Sequence, residues 1–371
     1  MPTITVDLAT PLVRSFRTEQ LAGLFDLPVE ERLAHRLTAE VPGMDEPWTI
    51  GAIVGPSGSG KTTLARAAFG DALHTPGDWP SNAALIDALS DAASDCSLKQ
   101  LTRLLTAVGL STPLAWLKPY RVLSTGERFR ADLARAILRA PSLLVCDEFT
   151  STLDRTVART ASAAITKHLR TTASLTPGLR LVALSCHTDF VPWLSPDWVL
   201  DLACSPPQLA RGCLRRPDIR LAVRRVPQAL WTRFARHHYL SGGLSTAATC
   251  YAAFWEGALV AFCAVVATLG HKRCKRITRL VTLPDFQGLG IGPRLAESAA
   301  EQQRGQGFRV TITASHPAIV GYCSRSPRWR YVGLKKTGST RQRLGERAIR
   351  CSTGRAVASF EYLGEPVAPG H

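Results

Sequence analysis

The segment from Trp48 to Phe69 leaves the chain little choice of fold. An unbroken apolar stretch, Trp48-Thr-Ile-Gly-Ala-Ile-Val54, runs into Gly55-Pro-Ser57-Gly58-Ser59-Gly60-Lys61-Thr62-Thr63 and then into helix-forming residues. The apolar run reads as a buried strand, the glycines as a tight turn, and 61–69 as a helix. Glycines let successive backbone N–H groups point inward, and the helix N-terminus adds partial positive charge, so the turn is suited to cradle phosphates. Lys61 is placed to reach the outer phosphates, and the Thr62 hydroxyl to ligate Mg²⁺. Further on, 127–139 has helical apolar spacing through Phe129, Leu133, Ala136 and Ile137, while 143–148 and 179–187 are apolar runs that end in polar residues. Strands alternating with helices predict an α/β fold with a mainly parallel sheet that works at the carboxyl ends of its strands.

Four later segments narrow this to one kind of nucleotide site. They are Leu123-Ser124-Thr125-Gly126-Glu127, the strand Leu143-Leu-Val-Cys-Asp147-Glu148, Ser151-Thr-Leu-Asp154, and His187 after Leu181-Val-Ala-Leu-Ser-Cys186. In this order they resemble the signature, Walker B, D-loop and switch histidine of ABC-type P-loop ATPases. The resemblance implies that Gly55, Ser57, Gly58, Ser59, Gly60, Lys61, Thr62 and Thr63 hold ATP, with Thr62 and Asp147 on Mg²⁺. Glu148 would be the base that activates water, and His187 would sense the terminal phosphate. In this family the signature of one subunit completes the ATP site of another. One set of motifs therefore implies a homodimer, with Ser124 and Gly126 acting in trans and Asp154 of the D-loop as a further nucleotide contact. Two features depart from the family. The signature has Thr for Gly and Glu for Gln, and the only glutamine between Lys61 and Ser124, Gln100, lies in a helical pattern. The interval between those motifs is also short for a transporter ATPase. Phe16 and Phe25 are the candidates for stacking on adenine.

Composition shifts near residue 205. Residues 1–204 hold 19 Lys+Arg against 21 Asp+Glu, a balance of −2, and residues 205–371 hold 26 against 8, a balance of +18. Residues 1–204 are expected to form the ATPase domain, the Pro/Arg-rich 205–222 a linker, and 223–371 a second domain. So localised a basic excess favours a polyanionic partner, nucleic acid first and an anionic membrane surface second. No apolar run approaches the roughly 20 residues of a bilayer crossing. The N-terminus lacks a basic-then-apolar signal pattern, and the ten cysteines stand singly, as reduced thiols would in a cytoplasmic protein.

The basic half carries its own glycine turn. Strand-like 251–268 and 276–283 lead into Gln287-Gly288-Leu-Gly290-Ile-Gly292-Pro-Arg294, a helix at 292–304 and a strand at 308–313. This resembles the Q/R-x-x-G-x-G/A motif of the GNAT acyltransferase superfamily, an α+β fold. The resemblance implies that Gln287, Gly288, Gly290 and Gly292 bind the pyrophosphate of acetyl-CoA or another acyl-CoA. In GNAT enzymes a tyrosine downstream of the motif often protonates the departing thiolate. Tyr322 stands there, either as that acid or as a residue packing on a helix face. His237, His238 and His316 are candidate bases, substrate contacts or structural residues. Phe234-Ala-Arg-His-His-Tyr-Leu240 together with the segments above is similar to the Mom-type branch of GNAT proteins, which modify DNA bases. Basic groups at 272–276, 325–330 and 335–350 could track phosphates; Trp329 and Tyr331 either stack on bases or pack in the core.

The leading expectation is thus an ATPase fused to an N-acyltransferase acting on DNA or tRNA. The rivals are an ABC ATPase with a non-catalytic CoA- or nucleic-acid-binding domain, and the ATP-binding subunit of a transporter.

Overall fold

The computed structural model describes residues 2–11, 13–26, 32–93, 95–140, 142–171, 178–212, 215–238, 243–336 and 356–365. They fall into two compact units that do not follow chain order. One comprises 1–78, 136–155 and 169–216; the other comprises 79–135, 156–168 and 217–371.

In the first unit β1 (Thr3–Pro11) pairs antiparallel with β2 (Arg32–Glu40). Between them lies α1 (Phe16–Leu24), none of whose residues is buried. The main sheet contains β3 (Ile50–Val54), β4 (Leu73–His74), β5 (Leu143–Cys146), β6 (Arg180–Ser185), β7 (Trp198–Asp201) and β8 (Gln208–Arg211), in the order β4-β5-β6-β3-β7-β8. All pairs are parallel except β7 with β8. All five residues of β3 are buried, which is why this central strand reads as a continuous apolar run rather than an alternation. Leu64 of α2 (Lys61–Phe69) packs with Trp48, Ile53, Val182 and Trp198. The Asp197 carboxylate fixes the start of β3. Its Oδ2 accepts from Thr49 N and Ile50 N at 2.8 and 2.9 Å, and its Oδ1 accepts from Arg170 at 2.9 Å. Four residues expected in the linker, Gln208–Arg211, form β8, and two more, Leu221 and Ala222, begin β9 (Leu221–Val226). The short α8 (Val191–Leu194) precedes β7.

In the second unit, α3 (Leu85–Ala92), α4 (Leu98–Ala107), α5 (Pro113–Trp116), α6 (Thr125–Arg139, through Arg135) and α7 (Arg155–Leu169, from Thr156 to His168) accompany a seven-stranded sheet. Its strands are β9 (Leu221–Val226), β10 (Thr249–Trp255), β11 (Ala258–Ala267), β12 (Cys274–Thr282), β13 (Arg309–Ala314), β14 (Trp329–Lys336) and β15 (Ala356–Tyr362). Their order is β14-β15-β13-β12-β11-β10-β9. The β10–β11 hairpin turns at Glu256 and Gly257, both at positive φ (49° and 81°), the twist-matched two-residue hairpin. Two short helices, α9 (Thr232–Ala235) and α11 (Pro317–Arg325), and the longer α10 (Ile291–Arg304) complete the unit. The one parallel pair, β12 with β13, runs only from Cys274↔Arg309 to Ile277↔Ile312. Beyond Ile277, β12 continues to Thr282 without a ladder on that edge.

Among the described residues no helix is long and apolar enough to cross a membrane. His168, near the end of α7, is 9% exposed. Burial first, and Arg103 second, push its imidazole down to about 4. The unfolded value is higher, near ~6.5, so the folded state holds the neutral form. Its contribution is present above the unfolded value and is lost as pH falls towards 4, by about 3 kcal/mol. His168→Gln should flatten the fall in unfolding free energy between pH 7 and pH 4 by that order, measured by urea titration at each pH.

Candidate functional site

The first glycine turn closes on Gly60, a left-handed cap at φ 86° and ψ 13° that only glycine adopts without strain. α2 starts directly after it, so its first N–H groups face the turn. Lys61 Nζ donates to the carbonyls of Gly55 and Pro56 at 2.9 and 2.7 Å. Ser59 Oγ is buried and has no partner among the described residues. A donor set of this kind, with an unmet buried hydroxyl, fits a polyphosphate.

At the ends of the neighbouring strands Thr62 Oγ1 donates to Asp147 Oδ2 at 2.7 Å. Two hard oxygens so close together fit Mg²⁺, which takes oxygen ligands and keeps several waters. Glu148 N donates to Asp147 Oδ1 at 2.8 Å, and the Glu148 side chain is exposed. Glu148 and Thr150 have φ of 48° and 62°. For a β-branched threonine this is strained backbone, of the kind that collects at active sites. Phe149 N, between them, donates to the carbonyl of Leu184 at 2.7 Å and ties this turn to the end of β6. His187 is exposed just beyond β6, with its N–H on Ser185 Oγ at 3.2 Å. The structure therefore brings Gly55–Thr63, Asp147, Glu148 and His187 to one sheet edge, on adjacent strands β5, β6 and β3. Asp154 is exposed one residue before α7.

Ser124 and Gly126 open α6 in the second unit. Ser124 Oγ accepts from Glu127 N at 3.3 Å, and Glu127 Oε2 accepts from Ser124 N at 2.9 Å. This is a reciprocal capping box, and it explains the acid at the fifth signature position. Gln100 forms another such box with Ser97 at the head of α4, which accounts for its place in a helical pattern. Phe16 and Phe25, the proposed adenine contacts, are 81% and 63% exposed.

The second glycine turn closes as the first does. Gly290 caps α10 at φ 85° and ψ 15°. Lys167 Nζ lies 3.7 Å from the position a Cβ on Gly290 would take, adding a cation beside the helix N-terminus. Sequence reading missed Lys167, because α7 is far from the motif in the chain. Gln287 is engaged elsewhere. Its Oε1 accepts from Ser111 N and Oγ at 2.9 and 2.8 Å, and its Nε2 donates to Thr112 Oγ1 and the carbonyl of Thr282 at 3.0 and 3.1 Å. What this turn offers an anion is main chain and Lys167. The unladdered edge of β12 beside it can hydrogen-bond an extended chain such as a pantetheine arm. These residues fit an acyl-CoA.

Tyr322 Oη donates to Glu297 Oε1 at 2.7 Å, and Arg328 lies 3.2 Å from the other oxygen of that buried carboxylate. Burial first, then this hydrogen bond, push the phenol up to about 12, so it carries its proton at neutral pH. Glu297 is a partner that sequence reading missed. His316 caps α11: its Nδ1 accepts from Ala318 N at 3.2 Å, so Nε2 carries the proton and donates to the Ser111 carbonyl at 2.7 Å. Burial lowers its pKa. His316 is structural, not a base. His237 Nε2 accepts from Arg236 at 3.1 Å, and burial ahead of Arg236 lowers its pKa. His238 is buried against Trp231. Trp329 does not present a face to bases: it is 6% exposed and packs on Tyr362 at 5.0 Å. Its neighbour Tyr331 is 57% exposed. Tyr239 and most of the basic run 335–350 lie outside the described residues.

Comparison with known proteins finds two kinds of relative. Residues 218–323 match the model of the acetyltransferase (GNAT) family. The zinc import ATP-binding protein ZnuC of Pseudomonas fluorescens is 35% identical over 119 residues, 28% of this chain and 46% of that protein. The ribosome protection protein VmlR of Bacillus subtilis is 32% identical over 119 residues, 28% of this chain and 22% of that protein. The chain thus spans less than half the length of these curated relatives. Among solved structures, an IAA acetyltransferase from Bacillus cereus covers 38% of this chain and 99% of its own at 15% identity and a TM-score of 0.29.

The capping box carries its own expectation. Ser124→Ala should destabilise the protein by about 1 kcal/mol. Ser124→Ala with Glu127→Ala should cost less than the sum of the two, because each removes the other's partner; a double-mutant cycle in urea measures it.

Proposed function

We propose that this chain, in which a region matching ABC ATPases is joined to a GNAT acetyltransferase domain, is a cytoplasmic ATP-dependent N-acyltransferase that acts on nucleic acid. The observation that carries the substrate class is charge. The acyl half holds 26 Lys+Arg against 8 Asp+Glu, while the ATPase half is nearly neutral. Edge strand β14 exposes Tyr331, Lys335 and Lys336, cations to follow phosphates and a ring to stack on a base, while Arg330 beside them pairs with Glu361 at 2.6 Å.

On this reading Gly55, Ser57, Gly58, Ser59, Gly60, Lys61, Thr62 and Thr63 hold the ATP phosphates, and Thr62 and Asp147 hold Mg²⁺. The ion, when bound, neutralises phosphate charge. Glu148 takes the proton of the attacking water, and His187 senses the terminal phosphate. Ser124, Gly126 and Asp154 act across a homodimer. At the second site the turn Gln287–Gly292 holds acyl-CoA through backbone at Gly288, Gly290 and Gly292, with Lys167 beside it. The acceptor amine nitrogen bonds to the thioester carbonyl carbon, the C–S bond breaks, the nitrogen gives up one proton to water, and the thiolate takes one. Tyr322 carries a proton for that step and must leave Glu297 to deliver it. A base inside a duplex is out of reach unless extruded, which gives ATP-driven closure work to do.

Glu148→Gln is expected to lower kcat for ATP hydrolysis about 100-fold or more with nucleotide affinity kept; a phosphate-release assay beside nucleotide titration reads both. For the acyl site, nucleosides of DNA and tRNA from cells with and without the chain are compared by mass spectrometry. An acylated nucleoside that disappears in Tyr322→Phe while ATPase persists supports the reading. It fails if no such nucleoside is found and neither DNA nor RNA binds at low salt or stimulates ATPase. One observation favours a second reading, the ATP-binding subunit of a transporter: the likeness to ZnuC, named for zinc import. That reading requires co-purification with membrane-spanning subunits.

A further inference from the structure

Within the second unit, the helices around the signature are joined to the acyl turn by polar contacts that neither motif requires alone. Besides the Ser111 and Thr112 bonds to Gln287, Thr160 Oγ1 of α7 donates to the carbonyl of Asp285 at 2.7 Å. The backbones of Gly109 and Gly288 meet so closely that a Cβ on Gly288 would lie 3.2 Å from Gly109 Cα and 2.6 Å from Ala164 Cβ.

One side chain touches both ends of this join. Arg130 lies on α6, one helical turn past Gly126, and is 1% exposed. Its Nη1 is 3.6 Å from the position a Cβ on Gly126 would take. Its Nη2 donates to Thr160 Oγ1 at 3.2 Å, the same hydroxyl that holds Asp285. Its Nε is 3.1 Å from the position a Cβ on Gly109 would take, and the carbonyl of Gln287 is 3.0 Å from that same point. That Nε has no hydrogen-bond partner among the described residues. A buried guanidinium with an unmet donor is costly. Asp285 and Glu127, one from the acyl turn and one from the signature, both attract the cation.

We propose that Arg130 relays nucleotide state to the acyl site: engagement of Ser124 and Gly126 by ATP shifts α6, and the guanidinium passes the shift through Thr160 and Gly109 to Asp285–Gly288, changing affinity for acyl-CoA. The inference rests on the acyl-CoA reading of that turn. It makes Arg130 and Thr160 positioning residues that touch neither ligand.

The test is calorimetric titration of acetyl-CoA into the full chain, with and without Mg²⁺ and a non-hydrolysable ATP analogue. In the wild type the analogue should change the acetyl-CoA Kd by about 5-fold or more, and acetyl-CoA should change the analogue's Kd by the same factor. Arg130→Met and Thr160→Val should keep each ligand's own affinity within about 2-fold and reduce the mutual effect below about 2-fold. Should Arg130→Met fail to fold, the isosteric Thr160→Val decides. A full-sized effect surviving in the variants, or no effect in a wild type that binds both ligands, overturns the relay. If acetyl-CoA binds in neither nucleotide state, the acyl-CoA reading falls and takes the relay with it.

Discussion

Helix N-termini leave backbone N–H groups without intrahelical partners, and both chemical centres of this protein are organised around that deficit. α2 and α10 begin on glycines whose dihedral angles agree within a few degrees, φ 86° and 85°. In each case a sheet strand, the fully buried β3 and the mostly half-buried β12, delivers the chain to the turn. In each, too, a lysine supplements the helix end: Lys61 from the turn itself and Lys167 from a remote helix. A side chain at the cap would have to pay the left-handed strain, so the rest of each site is arranged around a position that admits little else.

The two centres then diverge by what surrounds them. The first is bordered by oxygen ligands from α2 and from the turn after β5: Thr62 and Asp147 in direct contact, Glu148 and Thr150 held in left-handed backbone. The second is bordered by an interrupted ladder between β12 and β13 and by a carboxylate, Glu297, that takes the Tyr322 proton into a hydrogen bond. Hard oxygens suit a metal-bound polyphosphate, and an open strand edge suits an extended amide-bearing arm.

Much of this was legible in the sequence because it depends on neighbours in the chain. The strand–turn–helix at 48–69 and the second strand–turn–helix at 276–304 both appear where local spacing and glycine placement predict them. The matches to ABC ATPases and to the GNAT family agree with that reading. The helical pattern around Gln100 is α4, whereas α3 was not anticipated, although Leu85, Ala88 and Leu89 have the i, i+3, i+4 spacing of a buried stripe. Strand β8 was hidden by the Pro/Arg-rich composition around it, because antiparallel pairing with β7 outweighs weak local preference.

The sequence alone determined the chemical parts: two anion-binding turns, an acidic pair at a strand end, a capping serine with its glutamate, and a strongly basic second half. Only the tertiary structure decided which side chains are free to use. It drew Gln287 into hydrogen bonds with Ser111 and Thr112, set His316 Nε2 on the Ser111 carbonyl, and buried Trp329. It also set Lys167 beside Gly290 and Arg130 between Gly126 and Thr160. The reason is physical. Backbone geometry and capping are settled within a few residues, whereas a polar side chain takes whichever partner folding brings within hydrogen-bond reach, and for Gln287 those partners, Ser111 and Thr112, lie 176 and 175 residues away.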